Sequence, residues 1–237
     1  MLKKIEIKDK IRQFLYRLGI DIADFRSIMN LLDYHKIDLV LDVGAAIGLY
    51  GENLRKRGYQ GRIVSFEPMS ISFATLAKRA LHDKNWDVEN FGLGDEDGKK
   101  IINIATNSDS SSILSMLPKH IQAAPSIKYI GQEEITIRCL DSIFEDYSNS
   151  SRTMLKLDVQ GFEKHVLKGA EKSLPKITGL QLEMSLQPLY QSEKLFYEML
   201  PFILNQGFKL MSLKPGFYDP TSGQLLQLDG IFYREEL

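Results

Sequence analysis

Cysteine is all but missing. Cys139 is the only one among 237 residues, which excludes an intrachain disulfide and a cysteine-based zinc site. An excess of either charge is missing too: Lys and Arg number 30 against 31 Asp and Glu, interspersed along the chain. That balance gives no electrostatic case for nonspecific nucleic-acid or anionic-membrane binding. No apolar run approaches the ~20 residues of a membrane span. The opening stretch Met1 to Lys10 is charged and lacks the apolar segment of a signal peptide, so the cytoplasm is the expected compartment. No His, Asp or Glu spacing argues for a metal, and none is expected.

What is present reads as one main core with decorations. A chain this long buries roughly 70% of its unfolded surface and needs no staple. Residues 1–36 read as a helical extension, with Ile11, Phe14, Leu15 and Leu18 at helical spacing, then Ile28, Leu31 and Leu32 after Gly19. These helices also offer a surface for self-association. Residues 37–237 form the main domain. Asp38 to Val43 is a nearly continuous apolar run, as expected of a strand buried on both faces. Arg62 to Glu67, Trp86 to Phe91, Thr153 to Asp158 and Ile177 to Glu183 repeat the pattern, with helical stretches between most of them. Such alternation predicts an α/β fold on a parallel sheet. Phe208 to Leu213 and Leu225 to Tyr233 predict a C-terminal antiparallel hairpin. Lys99 to Ala105 and Ile135 to Cys139 predict two extra strands bracketing a Ser-rich excursion, 106–131. Irregular segments of that length inside a domain are usually functional or disordered.

Asp42-Val43-Gly44-Ala45-Ala46-Ile47-Gly48 lies where the first strand passes into a helix. Glycine there lets backbone approach a ligand, and such ligands sit beyond the carboxyl ends of the strands. A dinucleotide fingerprint requires glycine where Ala46 stands, and a P-loop requires a different spacing and a Lys after its last glycine. Neither phosphate motif fits. Glu67 ends the second strand, 23 positions after Gly44, where a carboxylate can accept from two ribose hydroxyls. A nucleoside-like ligand without a cradled diphosphate is implied, and S-adenosylmethionine fits that description.

The ordered set of motifs resembles the FkbM family of methyltransferases. It is carried by Asp42 to Gly48, Ser65-Phe66-Glu67-Pro68, Gly92-Leu93-Gly94-Asp95, Leu140-Asp141-Ser142-Ile143 and Lys156 to Glu163, over roughly Asp38 to Glu183. Two positions depart: the family commonly has Asn at Ala46 and Glu at Gln160. The resemblance implies a Rossmann-like class I methyltransferase with a seven-stranded, mostly parallel sheet. It also implies methyl transfer to a hydroxyl, often on a sugar or a polyketide-type product. Cofactor contacts are then expected from Asp42, Gly44, Ala45, Ile47, Gly48, Glu67, Pro68, Asp95 and Asp158.

An alcohol is a poor nucleophile, so a general base within hydrogen-bond reach is wanted. Asp158, at the end of the strand expected beside the first, is the leading candidate; its plain alternative is a helix N-cap. Lys156 shares a sheet face with Asp158 and either binds the acceptor or forms an ion pair. Glu183 points to the same rim. His120, in the Ser-rich excursion, becomes a base if that segment folds over the site. Two other classes compete: a nicotinamide-dependent oxidoreductase, disfavoured by Ala46, and a noncatalytic nucleoside-binding module.

Overall fold

The computed structural model describes residues 26–148 and 152–234. The chain divides into two units, Met1–Tyr34 and His35–Leu237. In the first, Arg26–Tyr34 is a helix (α1); the helical spacing noted around Ile11 to Leu18 lies outside the described residues.

In the second unit, all five residues of β1 (Leu39–Val43) are buried, as a strand covered on both faces requires. Following it are α2 (Leu49–Lys56), β2 (Arg62–Phe66), α3 (Ser70–Ala80) and β3 (Trp86–Glu89). After the excursion come α5 (Leu140–Ser148), β7 (Thr153–Leu157), α6 (Glu163–Lys168), β8 (Gly179–Ser185) and α7 (Phe196–Asn205). The chain finishes with β9 (Phe208–Pro215) and β10 (Gln227–Arg234). These strands form a seven-stranded sheet in the order β3-β2-β1-β7-β8-β10-β9. β10 is antiparallel to both its neighbours, so the closing hairpin folds back with β9 outermost. The expected α/β sheet and hairpin are both present.

Strand order reverses between β1 and β7, and the register there places the site. Val43 is level with Phe66 on one side and with Leu157 on the other, and Leu157 is level with Leu182. One residue further, Glu67, Gly44, Asp158 and Glu183 come to the same rim. One residue back, Ser65, Asp42, Lys156 and Gln181 form a polar row across the apolar sheet.

The two extra strands belong to a separate sheet. β4 (Gly92–Leu93), β5 (Gly98–Ala105) and β6 (Tyr129–Arg138) pair in the order β4-β6-β5. The segment between β5 and β6 is ordered. A 3-10 turn at Ser108–Ser110 precedes a bridge between Asn103 and Ser112, and α4 (Pro118–Ala123) follows. The Ser111 hydroxyl accepts the Ala105 N–H at 3.0 Å, and Lys119 pairs with Asp219 at 2.8 Å. The serines thus do more than solvate a loop: they replace sheet partners and fold the segment back on the domain.

Candidate active site

A cavity opens at the switch point, floored by Gly44, Ala45 and Ile47 and walled by Glu67, Pro68, Lys156 and Asp158. Ser108, Ser111 and Ser112 roof it. Gly44 has φ 73, and a β-carbon there would lie 1.9 Å from the Asp158 carbonyl oxygen. Only glycine lets the two strand ends close up, which brings the loop's main chain to the cavity floor.

Glu67 is buried, and both its oxygens are in use: Ala46 N–H donates to one at 2.8 Å and Met69 N–H to the other at 2.9 Å. A carboxylate oxygen has a second lone pair, so two ribose hydroxyls can still be accepted. Burial pushes its pKa up to about 7, against the opposing pull of those two N–H groups. Beside it, Pro68, Met69, Leu93, Ile137 and Phe162 make an apolar slot suited to a flat base. Among the described residues Lys156 is the only cation on the wall, and it is committed elsewhere. Its ammonium lies 3.0 Å from Asp42, donates to the Gly44 carbonyl at 3.2 Å and sits 5.2 Å from the centre of the Tyr50 ring. Burial opposes its charge, but Asp42 and Asp158 outweigh that and hold its pKa above the ordinary lysine value. Among the described residues, a diphosphate would find no free cation on this wall. An adenosyl group with an uncharged sugar fits the donor set.

Of the acids at the strand ends, Asp158 meets solvent most: its side chain is 40% exposed, against 0% for Asp42. Asp109, on the serine segment, also lines the cavity and is exposed. Its carboxylate lies 3.6 Å from Lys156 and accepts from the Gln160 amide at 2.9 Å.

Five residues expected at the site do not line the cavity. Asp42 lies beneath it, accepting from Ser65 at 3.1 Å and holding Lys156. Gly48 has φ 86 and faces Leu76 and Arg79, so its work is to turn the chain into α2. Asp95 accepts from His165 (3.1 Å) and Lys168 (3.4 Å), and His165 in turn stacks on Phe162, which lines the cavity. Glu183 is held behind the wall by the Gln160 and Gln227 amides, each at 2.9 Å. Burial and the neighbouring Asp158 carboxylate push its pKa well up. His120 is buried against the Tyr190 and Phe217 rings, and burial lowers its pKa. Conversely, Tyr50 and Gln160 line the cavity although neither was expected there. Gln160 lies within the Lys156 to Glu163 motif but carries no charge that would mark it as a site residue. Tyr50 had no signal beyond its place in α2.

The sequence profile of the FkbM methyltransferase domain matches residues 42–210. The chain belongs to the FkbM methyltransferase family. Membership makes S-adenosylmethionine the cofactor, in keeping with the geometry of Gly44 and Glu67. Among curated relatives, a methyltransferase of Sordaria araneosa, sdnD, is 24% identical over 56% of this chain and 60% of its own length. Methyltransferase 1 of Beauveria bassiana is 25% identical over 56% of this chain and 58% of its own. The chain thus spans about three fifths of the relatives it matches. An uncharacterized protein from Listeria monocytogenes serotype 4b shares the fold, with a TM-score of 0.50 at 9% identity over 92% of this chain and 70% of that one. Among the described residues no cluster of His, Cys, Asp or Glu is arranged to hold a metal. No described helix is long and apolar enough to cross a membrane.

Proposed function

We propose that this FkbM-family chain methylates a hydroxyl oxygen of a saccharide or secondary-metabolite acceptor, in the cytoplasm, with Asp158 as the group that takes or orients the hydroxyl proton. One observation carries the reading. Asp158 presents a half-open carboxylate to the cavity, while Asp42 and Glu183 are engaged behind it.

S-adenosylmethionine, when bound, supplies an electrophilic methyl group, which leaves alignment and water exclusion to the protein. Glu67 accepts the ribose hydroxyls. Gly44 admits the cofactor's backbone-side contacts. Lys156 holds the loop carbonyl at Gly44 and keeps the adjoining acids from repelling one another. Ser108, Ser111 and Ser112 roof the cavity against water. Asp158 accepts a hydrogen bond from the acceptor hydroxyl and raises its nucleophilicity as the methyl transfers.

The test is release of S-adenosylhomocysteine across a panel of sugar, polyketide and amine acceptors. Asp158→Asn should lower turnover at least a hundredfold on the active acceptor while changing S-adenosylhomocysteine affinity little. Turnover confined to amine acceptors would overturn the oxygen assignment. Undiminished turnover in Asp158→Asn would remove that residue from the chemistry.

A further inference from the structure

Gln160 follows β7 in the turn Asp158-Val159-Gln160-Gly161, with φ 53, a left-handed backbone uncommon outside glycine. Its side-chain amide is fully engaged. The nitrogen donates to Asp158 and to Glu183, both at 2.9 Å, and the oxygen accepts the Tyr190 hydroxyl at 2.6 Å. Two N–H bonds and one acceptor are matched by two acids and one hydroxyl, so the amide has a single satisfactory orientation. The Gln160 main-chain carbonyl also accepts the Ser112 hydroxyl at 2.7 Å, from the roof.

The geometry points to Gln160 as a positioning residue, which sets the Asp158 carboxylate at the cavity wall and latches the serine roof above it. Its catalytic consequence rests on the role proposed for Asp158; the clamp itself does not. Asp42, Asp158, Glu163, Glu183, Glu193 and Asp229 surround this region, with Lys156 as the near cation and Tyr190 as the hydroxyl donor. An amide can donate to two carboxylates at once, and a third carboxylate cannot. Exchanging this glutamine for glutamate is therefore not neutral. A glutamate here would meet both acids at hydrogen-bond range, and the three carboxyls could be held together only with a proton among them.

The experiment compares Gln160→Glu, Gln160→Met and the double variant Gln160→Glu/Asp158→Asn with the wild-type chain. Melting temperature is followed without ligand from about pH 5.5 to 8.5, and S-adenosylhomocysteine affinity is measured at both ends. The Gln160→Glu deficit should widen with rising pH by about 5 °C or more. Asp158→Asn in the same chain should close much of that widening, because one repelling acid is gone. Gln160→Met, with no charge and no donor, should show a deficit that does not change with pH. Amide exchange across Ser108 to Ile113 should quicken in both single variants. A Gln160→Glu curve parallel to wild type would overturn the clamp, as would a widening that Asp158→Asn leaves untouched. A wild-type chain that ignores S-adenosylhomocysteine would instead count against the methyltransferase reading, with the ligand-free curves still deciding on the clamp.

Discussion

Cofactor binding should release a proton, and Glu67 should be its source. The side chain is buried, and its pKa stands at about 7 rather than the usual 4.5. That rise corresponds to about 3 kcal/mol. Between pH 4.5 and 7 the folded carboxyl keeps a proton that the unfolded chain has lost. Its contribution to stability is therefore complete below pH 4.5 and lost as pH rises through 7. Ribose hydroxyls donate to the ionised form, so binding below pH 7 must expel the proton. Affinity for S-adenosylhomocysteine should then weaken by up to about tenfold per pH step below 7. Titration calorimetry at pH 6, in two buffers of different ionisation enthalpy, should show release of close to one proton. Glu67→Gln should abolish that release and weaken binding about thirtyfold, the loss of about 2 kcal/mol from hydrogen bonds to a charged group. Across pH 4.5 to 7 the variant should also lack the wild-type fall in stability. If Glu67→Gln binds within threefold of wild type and releases the same proton, the assignment of Glu67 to the ribose is wrong.

Lys156→Met should leave Asp42 buried without its cation and destabilise the fold by about 3–5 kcal/mol. Adding Asp42→Asn should restore at least half of that in chemical denaturation; a double variant no better than the single would refute the pairing. Ala46 sits at φ 46, so Ala46→Gly should relieve left-handed strain and stabilise by about 0.5–1 kcal/mol, net of the greater freedom glycine gains when unfolded. A lower melting temperature in that variant would show that the loop is not strained.

The departure at Ala46 acquires a physical meaning in the structure. Asparagine, which the resemblance leads one to expect there, tolerates a left-handed backbone better than alanine does, and position 46 is left-handed. The departure at Gln160 was legible as a missing charge but not as a donor to two acids, because Glu183 lies 23 positions away on another strand. Asp95 does not line the cavity, for a related reason. Its motif marked the correct turn, but His165 and Lys168, on α6, draw its carboxylate away from the cavity.

Patterns with short reach were determined by the chain itself. Alternating apolar runs and helical stretches specified the parallel sheet, because each strand's burial is written in consecutive residues. The glycine turn and Glu67 followed, since both stand at strand ends whose positions those runs define. Tertiary structure alone decided which acids meet the cavity. Asp42, Asp158 and Glu183 all lie near the carboxyl edge, yet strand register buries the first and the Gln160 amide withdraws the third. It also decided that the serine-rich segment is a roof: its hydrogen-bond partners at Ala105 and Gln160 become neighbours only when the two sheets have formed.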